Sequence, residues 1–363
     1  MSPSHCLRSS VLCLALALAA CGGAAAPSTP SVTRDAPKAS AAAQGSAKPA
    51  ASASAEAIAP AKPGQIVAAY SEITAANAGL WGAKEGGIFQ KRGLDVDPRL
   101  IESSLAIGAV ISGQAPIASA GGSEALAAAV EGADLRIIGT VSPVYPYKFE
   151  VVASVQTKED LKGKKVGVSR LGSSSDIATR AGLKKIGLDP DKDVTIVQVG
   201  SLQARTAAML SGAIQGAVAA PPDTVTLRAQ GFHPLFDLAA LELPATNNCL
   251  VVNGAWLASH KDETQKYVDS LVESIVRLKK DKAFAFEVLK KYLKTEDPKL
   301  LDATYDYYVI RAVPVLPYPR VEQFPDTVAT VAEKNPKAKT FDLTKLIDAS
   351  YVKSAAERGI DKI

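Results

Sequence analysis

Cysteine and histidine are scarce in this sequence, with four cysteines and three histidines in 363 residues. Two of the cysteines and one histidine lie in the first 20 residues, a segment that we expect to be removed. Only Cys21, directly after this segment, and Cys249 then remain. With only His233 and His260 left, the sequence excludes a Cys/His zinc site. We therefore expect no metal and no other cofactor.

A strong charge of either sign is also missing. The chain has 41 Lys and Arg against 37 Asp and Glu, and removal of the first 20 residues leaves 40 against 37. A formal charge near +3 is too small to indicate a nucleic acid or a membrane surface as a partner. No apolar run after Cys21 is long enough for a transmembrane helix.

The first 20 residues have the pattern of an export signal. Arg8 precedes the apolar run "VLCLALALAA", which is too short to span a bilayer. The segment "LAAC", Leu18–Cys21, resembles the lipobox of bacterial lipoprotein signal peptides, whose cysteine becomes the lipidated first residue. The resemblance implies a signal peptide at 1–20 and an extracytoplasmic protein anchored to the cell membrane through Cys21. A lipidated Cys21 leaves Cys249 without a partner for an intramolecular disulfide. An ordinary secretory signal that contains a cysteine is the alternative.

Residues 22–63 contain mainly Ala, Ser, Pro and Gly, and no aromatic residue. Such a segment buries too little apolar surface to offset the entropy of ordering. We interpret 21–63 as the lipidated cysteine followed by a disordered tether. A processed pro-segment is the alternative.

About 300 residues follow, more than one typical single-core domain. Short β-rich runs alternate with helix-length segments as far as about residue 237, which predicts an α/β fold with one or two mainly parallel sheets. The runs are "QIVAAY", "LDVDPRLI", "PIASA", "LRIIGTV", "FEVVA", "KKVGV", "VTIVQV", "GAVAA" and "HPLFDL". From Ala255 the pattern is helical.

Two strand-to-helix junctions share one design. "PIASAGGSEALAAAVEG" turns at Gly121, Gly122 and Ser123, and "VGVSRLGSSSDIATRAGLKKIG" turns near Ser173 and Ser174. A helix start leaves backbone N–H donors free with partial positive charge behind them. Ligands of open α/β sheets bind at the carboxyl ends of strands, so the two junctions are candidates to face each other across a cleft. Plain serine N-caps are the alternative.

Enzymatic motifs are incomplete. Gly167 and Gly172 have the spacing of P-loop glycines, but serines stand where Lys and Ser/Thr are required. "GGSEA" lacks the last glycine of a nucleophile elbow, and no histidine follows in a recognisable context. We therefore expect no catalytic residues and a protein that is not an enzyme.

Several phrases, in order along the chain, resemble one family. They include "AKEGGIFQKRGLDVD", "LKGKKVGV", "SLQARTAAMLSGAIQGAVAAPP" and "DLTKLIDASYVKSA". Together they are similar to the nitrate/sulfonate/taurine class of ABC-importer solute-binding proteins, which also includes binders of thiamine-pyrimidine precursors. The similarity covers nearly all of residues 64–363.

The resemblance implies the two-lobed periplasmic-binding-protein type II fold, with two crossovers between lobes and a C-terminal helical cap. One lobe would comprise 64–153 and 250–363, and the other 154–249. The hinges would lie near 153–158 and 246–252. A solute would bind between the lobes and be enclosed as they close.

Matching positions imply a set of ligand-binding residues: Ser71, Glu72, Thr74, Gly121, Gly122, Ser123, Gly172, Ser173, Ser174, Pro222 and Asn247. Tyr145 and Tyr147 precede the first expected hinge and are candidates to stack on a planar ligand. Packing of a hinge loop is their alternative role.

Glu72 departs from what an anion site requires, because an ionised carboxylate in the cleft would repel an anionic solute. Arg170 would offset this charge, or Glu72 would turn to solvent. We therefore favour a neutral or weakly charged small organic solute, such as a heteroaromatic one, over nitrate or taurine.

The resemblance implies a monomeric receptor that delivers this solute to an ABC permease. Two alternatives remain: a lipoprotein that senses solute without transport, and a pyrimidine-precursor enzyme on the same fold.

Overall fold

The computed structural model describes residues 61–363. The expected signal peptide, the lipidation site Cys21 and the expected tether up to residue 60 lie outside the described residues. The strands are β1 (Gln65–Tyr70), β2 (Asp95–Leu100), β3 (Ile117–Ala120), β4 (Leu135–Thr140), β5 (Lys148–Val151), β6 (Lys165–Val168), β7 (Thr195–Gln198), β8 (Gly216–Ala219), β9 (His233–Asp237) and β10 (Cys249–Asn253). The first nine confirm the nine predicted runs.

Helices connect these strands and form the C-terminal part of the chain. They are α1 (Ala78–Glu85), α2 (Ile88–Lys91), α3 (Ser103–Ser112), α4 (Gly122–Val130), α5 (Ser174–Lys185), α6 (Leu202–Leu210), α7 (Asp223–Ala229), α8 (Gly254–Ser259), α9 (Lys261–Lys280), α10 (Lys282–Leu293), α11 (Pro298–Thr304), α12 (Pro325–Lys334) and α13 (Ser350–Glu357). A π-helical segment, Tyr305–Ala312, follows α11, and short 3-10 turns occupy 75–77, 159–161, 321–323, 336–340, 343–345 and 360–362. Within 61–363, no helix combines the length and the apolar character needed to cross a bilayer.

The strands form two five-stranded sheets, in the orders β2-β1-β3-β10-β4 and β7-β6-β8-β5-β9. β1 is parallel to β2 and β3, and β6 is parallel to β7 and β8. Each sheet also contains one strand that arrives from the other sheet, and this strand is antiparallel to both of its neighbours: β10 in the first and β5 in the second. The predicted two-lobed α/β architecture, with two crossovers and a helical C-terminal part, is confirmed.

The first sheet is covered by helices on both faces, which explains its nearly continuous apolar runs. Along β1, Ile66, Ala68 and Tyr70 join one apolar cluster, and Val67 and Ala69 join another. The first cluster includes residues of α1 and α9, and the second includes residues of α3 and α4. The C-terminal helices therefore complete the core of the first lobe.

Two expected boundaries are corrected by the strand pairing. The sequence places residues up to 153 in the first lobe and a hinge at 153–158, but β5 already pairs with β8 and β9 of the second sheet. The first crossover therefore lies at 141–147. The return hinge was expected at 246–252, whereas Cys249–Asn253 is strand β10, which pairs with β3 and β4. The return crossover thus spans 238–248.

The two crossover segments run side by side and bond to each other. Val141 N donates to Asn248 O at 2.7 Å, and Ala245 N donates to Pro143 O at 2.8 Å. The Tyr147 hydroxyl donates to Asn247 Oδ1 at 2.9 Å. This pairing places residues from both crossovers at the base of the space between the lobes.

Candidate ligand-binding site

A cleft of about 360 Å³ lies between the lobes, a volume typical of small-molecule sites. Both lobes and both crossovers contribute to it. Its lining consists of Ser71, Glu72, Ile73, Leu100, Glu102, Gly121, Glu124, Tyr147, Ser169, Arg170, Ser173, Ser174, Ser175, Gly200, Ser201, Leu202, Gln203, Arg205, Asn247 and Asn248. Of the predicted ligand residues, the cleft brings together Ser71, Glu72, Gly121, Ser173, Ser174 and Asn247.

The two similar strand-to-helix junctions face each other across this cleft. A Cβ atom added to Gly121, at the start of α4, would lie 2.8 Å from the Ser174 hydroxyl oxygen, at the start of α5. The glycine is therefore required for the close approach of the two walls.

Side chains at the start of α5 form hydrogen bonds with each other and with the backbone of this turn. Ser173 is the N-cap, and its hydroxyl accepts from Asp176 N at 3.4 Å. Ser169 and Ser175 extend this hydroxyl cluster with contacts of 2.8–3.0 Å. The Asp176 carboxylate accepts from Gly172 N at 2.7 Å. Ser173 is thus mainly a cap, whereas Ser174 faces Gly121 of the opposite lobe.

Glu72 lies in the loop that follows β1. Its carbonyl accepts from Asn77 Nδ2 at 2.9 Å, and its Oε1 accepts from Asn248 Nδ2 at 3.4 Å, which is a long contact. Burial raises the pKa of this carboxyl group, whereas the Arg205 charge and the Asn248 contact oppose the shift. Glu72 lines the cleft and does not turn away to solvent.

Arg170 does not offset Glu72, contrary to one of our expectations. Its Nη2 lies 3.2 Å from Glu124 Oε1, across the cleft in the first lobe. Ser123 is buried, and its hydroxyl donates to Glu124 Oε2 at 2.6 Å. Ser123 therefore orients Glu124 and does not line the cleft.

Arg205 is the cation that faces Glu72, and sequence reasoning missed it. It lies on α6, whose buried residues are Leu202, Arg205, Thr206 and Met209. This is the apolar stripe of an amphipathic helix, so a lone arginine within it was a signal that the sequence contained. Arg205 is 3% exposed, and burial lowers the pKa of its guanidinium group.

Other predicted residues lie off the cleft. Gly122 donates from its N to Thr246 O at 2.8 Å, and a Cβ atom there would lie 2.5 Å from Thr246 Oγ1. Thr74 and Tyr145 are buried beside the cleft. Gly172 has a φ of +84°, so it serves the turn before α5. Pro222 directly precedes α7 and does not line the cleft.

Tyr147 lines the cleft and bonds to Asn247, whereas Tyr145 does not line it. Burial raises the pKa of the Tyr147 hydroxyl, so it remains a neutral donor. Of the two tyrosines predicted to stack on a planar ligand, only Tyr147 therefore lines the cleft.

Comparison with known proteins agrees with this architecture. The family described as "NMT1/THI5 like" matches residues 75–281, more than half of the chain. The chain belongs to the NMT1/THI5-like family. A comparison with curated proteins gives no match.

Solved structures show the fold of this NMT1/THI5-like protein. The alkanesulfonate-binding protein SsuA from Xanthomonas axonopodis pv. citri, bound to MOPS, is 21% identical with a TM-score of 0.63, over 80% of this chain and 98% of that one. The periplasmic nitrate-binding protein NrtA from Synechocystis PCC 6803 is 13% identical with a TM-score of 0.60, over 82% and 89%. A DszB mutant in complex with biphenyl-2-sulfinic acid is 16% identical with a TM-score of 0.54, over 81% and 99%. The fold is that of the periplasmic binding proteins.

We expect Gly121→Ala to disfavour the approach of the two junctions. The added methyl group would meet Ser174 and Glu124, and overpacking of this kind costs about 1–3 kcal/mol. Small-angle scattering of the purified protein should show a larger radius of gyration. Gly108→Ala is the control, because a Cβ atom at this exposed position of α3 has no neighbour within 4 Å. Equal radii for the two variants would contradict the prediction.

We expect Glu72→Gln to stabilise the ligand-free protein at neutral pH. Because burial raises the pKa of Glu72, its ionised form costs folding stability as the pH rises above the ordinary glutamate pKa, about 4.3. The gain in Tm should shrink as the pH falls through the raised pKa and vanish below the ordinary value, because the wild-type carboxyl group is then neutral too. Glu333→Gln, at an exposed position of α12, should show no such pH dependence. A gain that is constant from acidic to neutral pH would argue against a buried, ionised Glu72.

Proposed function

We propose that this chain is a lipid-anchored, extracytoplasmic receptor that binds a small solute between its lobes and delivers it to an ABC permease. The cleft carries the proposal, because its walls come from both lobes and its base from both crossovers. A solute held there contacts two lobes whose chain connections are the paired crossover segments. Such an arrangement lets binding energy drive hinge closure.

Membership of the NMT1/THI5-like family and the fold shared with SsuA and NrtA support a receptor role. What SsuA and NrtA bind, an alkanesulfonate and nitrate, supports a small polar solute here. The lining of the cleft supports binding without chemistry, since the described residues place neither cysteine nor histidine in it. Cys249 is buried in β10, and burial raises the pKa of its thiol to about 12. We propose a monomer that is not an enzyme.

The test of the receptor role combines a thermal-shift screen with scattering. The panel comprises sulfonates, oxyanions, amino acids, pyrimidines and aromatic acids. A solute at a hundredfold excess over Kd stabilises the protein by about 2.7 kcal/mol, which should raise Tm by about 2–4 °C per kcal/mol. The same solute should reduce the radius of gyration. A panel with neither a shift nor compaction would contradict the proposal.

Ser174→Trp should abolish both responses, because the indole would occupy the gap between the two junctions. Ser211→Trp is the matched control, since Ser211 is exposed at the end of α6 and does not line the cleft. If Ser174→Trp binds the solute as well as the control does, the solute lies elsewhere.

The lipid anchor requires its own measurement. Cys21→Ser should abolish incorporation of labelled palmitate in the native host and release the protein from the membrane fraction. Cys13→Ser, within the expected signal peptide, should retain both. Labelling that persists in Cys21→Ser would overturn the anchor.

A further inference from the structure

Two opposite charges occupy opposite walls of the cleft. Glu72 follows β1 in the first lobe, and Arg205 lies on α6 in the second. Among the described residues, Arg205 has no carboxylate within the 4.0 Å of an ion pair. Glu72 and Arg205 thus line the same cleft from opposite lobes without forming an ion pair.

The guanidinium group of Arg205 has a buried hydrogen-bond donor without an acceptor. Its Nη1 donates to Gly200 O at 2.9 Å, but its buried Nε has no hydrogen-bond partner. A buried cation with an unsatisfied donor is destabilising, and an anionic acceptor is the group that relieves it best. Arg205 also lines the cleft, so an anionic group of a solute can approach its guanidinium group from there.

The carboxylate of Glu72, conversely, can accept further hydrogen bonds. Its Oε1 accepts a long hydrogen bond of 3.4 Å from Asn248 Nδ2, in the return crossover. A carboxylate accepts up to about four hydrogen bonds. Ammonium or amidinium N–H groups would satisfy it and would compensate its charge. A purely anionic solute would satisfy Arg205 and at the same time be repelled by Glu72.

The lining between the two charges is partly apolar. Ile73, Leu100 and Leu202 line the cleft with them, and Leu100 is 49% exposed. A short carbon skeleton would cover these side chains and remove their surface from water.

We propose that the solute is dipolar, with a cationic nitrogen against Glu72, an anionic group against Arg205 and a short apolar skeleton between them. This inference rests on the proposed receptor function and names the substrate class of the same cleft. A net charge of zero agrees with the weakly charged solute favoured from the sequence. The proposed class nevertheless includes taurine, which the sequence analysis disfavoured because it set only the anionic group against Glu72.

The placement of the two charges makes closure depend on both ends of the solute. A molecule with one charge satisfies one lobe and leaves the charge of the other lobe buried without a partner as the lobes approach. A dipolar solute bridges both walls and makes the closed arrangement favourable. Selectivity therefore arises at closure as well as at first contact.

The experiment uses matched compounds and isothermal calorimetry on the purified protein. Each of β-alanine, γ-aminobutyrate and taurine is compared with its deaminated analogue (propanoate, butyrate or ethanesulfonate) and with its amine alone (ethylamine or propylamine). Phenylalanine and glycine betaine extend the zwitterion group in size and hydrogen-bonding capacity. We expect at least one zwitterion to bind about 10- to 100-fold more tightly than either of its singly charged analogues, the scale of one charged hydrogen bond.

Variants then assign the two ends. Glu72→Gln should remove the preference for the zwitterion over its deaminated analogue, and Arg205→Met should remove the preference over the amine. Glu333→Gln and Arg311→Met, which change the same charges at exposed positions, should keep both preferences. Because Arg205→Met removes a buried residue, its Tm is measured first, and Arg205→Lys serves as a second variant that retains the charge but not the guanidinium geometry.

The outcomes separate this inference from the receptor role. Tight binding of an anion or a neutral pyrimidine, with no gain from a second charge, would overturn the dipolar solute and leave the receptor intact. A zwitterion preference that survives in Glu72→Gln would also overturn the assignment. No binding by any compound of this series or of the wider panel would count against both proposals.

Discussion

The pairing of the two crossover segments is the constraint on which the rest of the cleft depends. Val141 bonds to Asn248 and Ala245 bonds to Pro143, so the two connections behave as one short ribbon. Tyr147 and Asn247 add a side-chain bond within this ribbon, at the base of the cleft. The geometry of both walls therefore follows from a few backbone hydrogen bonds.

The topology of the sheets has the same origin. Each sheet consists of locally connected strands plus one strand from the other lobe, β10 or β5, and both of these run antiparallel to their neighbours. The exchanged strands are inserted between other strands of the sheet and are not placed at an edge. Each crossover thus leads into a strand that is held by two strand pairings.

The two walls are chemically unequal although their junctions look alike in sequence. Gly121 provides close approach and no side chain, whereas the turn before α5 provides a cluster of hydroxyl groups. Charge follows a different distribution, with Glu72 and Glu124 on the first lobe and Arg170 and Arg205 on the second. Glu124 and Arg170 meet directly at 3.2 Å, and the other pair does not. The pair Glu124 and Arg170 therefore joins the two walls directly. Glu72 and Arg205 are the pair that we propose to hydrogen-bond to a solute.

Much of this protein was accessible from the sequence alone. Nine strands, the two-lobed α/β class and the facing junctions follow from apolar periodicity, glycine and serine turns and an ordered set of family phrases, because these patterns report burial and local backbone conformation. Tertiary structure alone decided three further points: β5 belongs to the second sheet, Gly122 packs on Thr246, and Arg205 reaches the cleft. In each case the deciding partner is distant in sequence, and a strand or helix of given periodicity fits several partners equally well. Long-range packing decides which of these partners an element contacts. This packing places Arg205, a buried arginine in an apolar stripe, in the wall of the cleft.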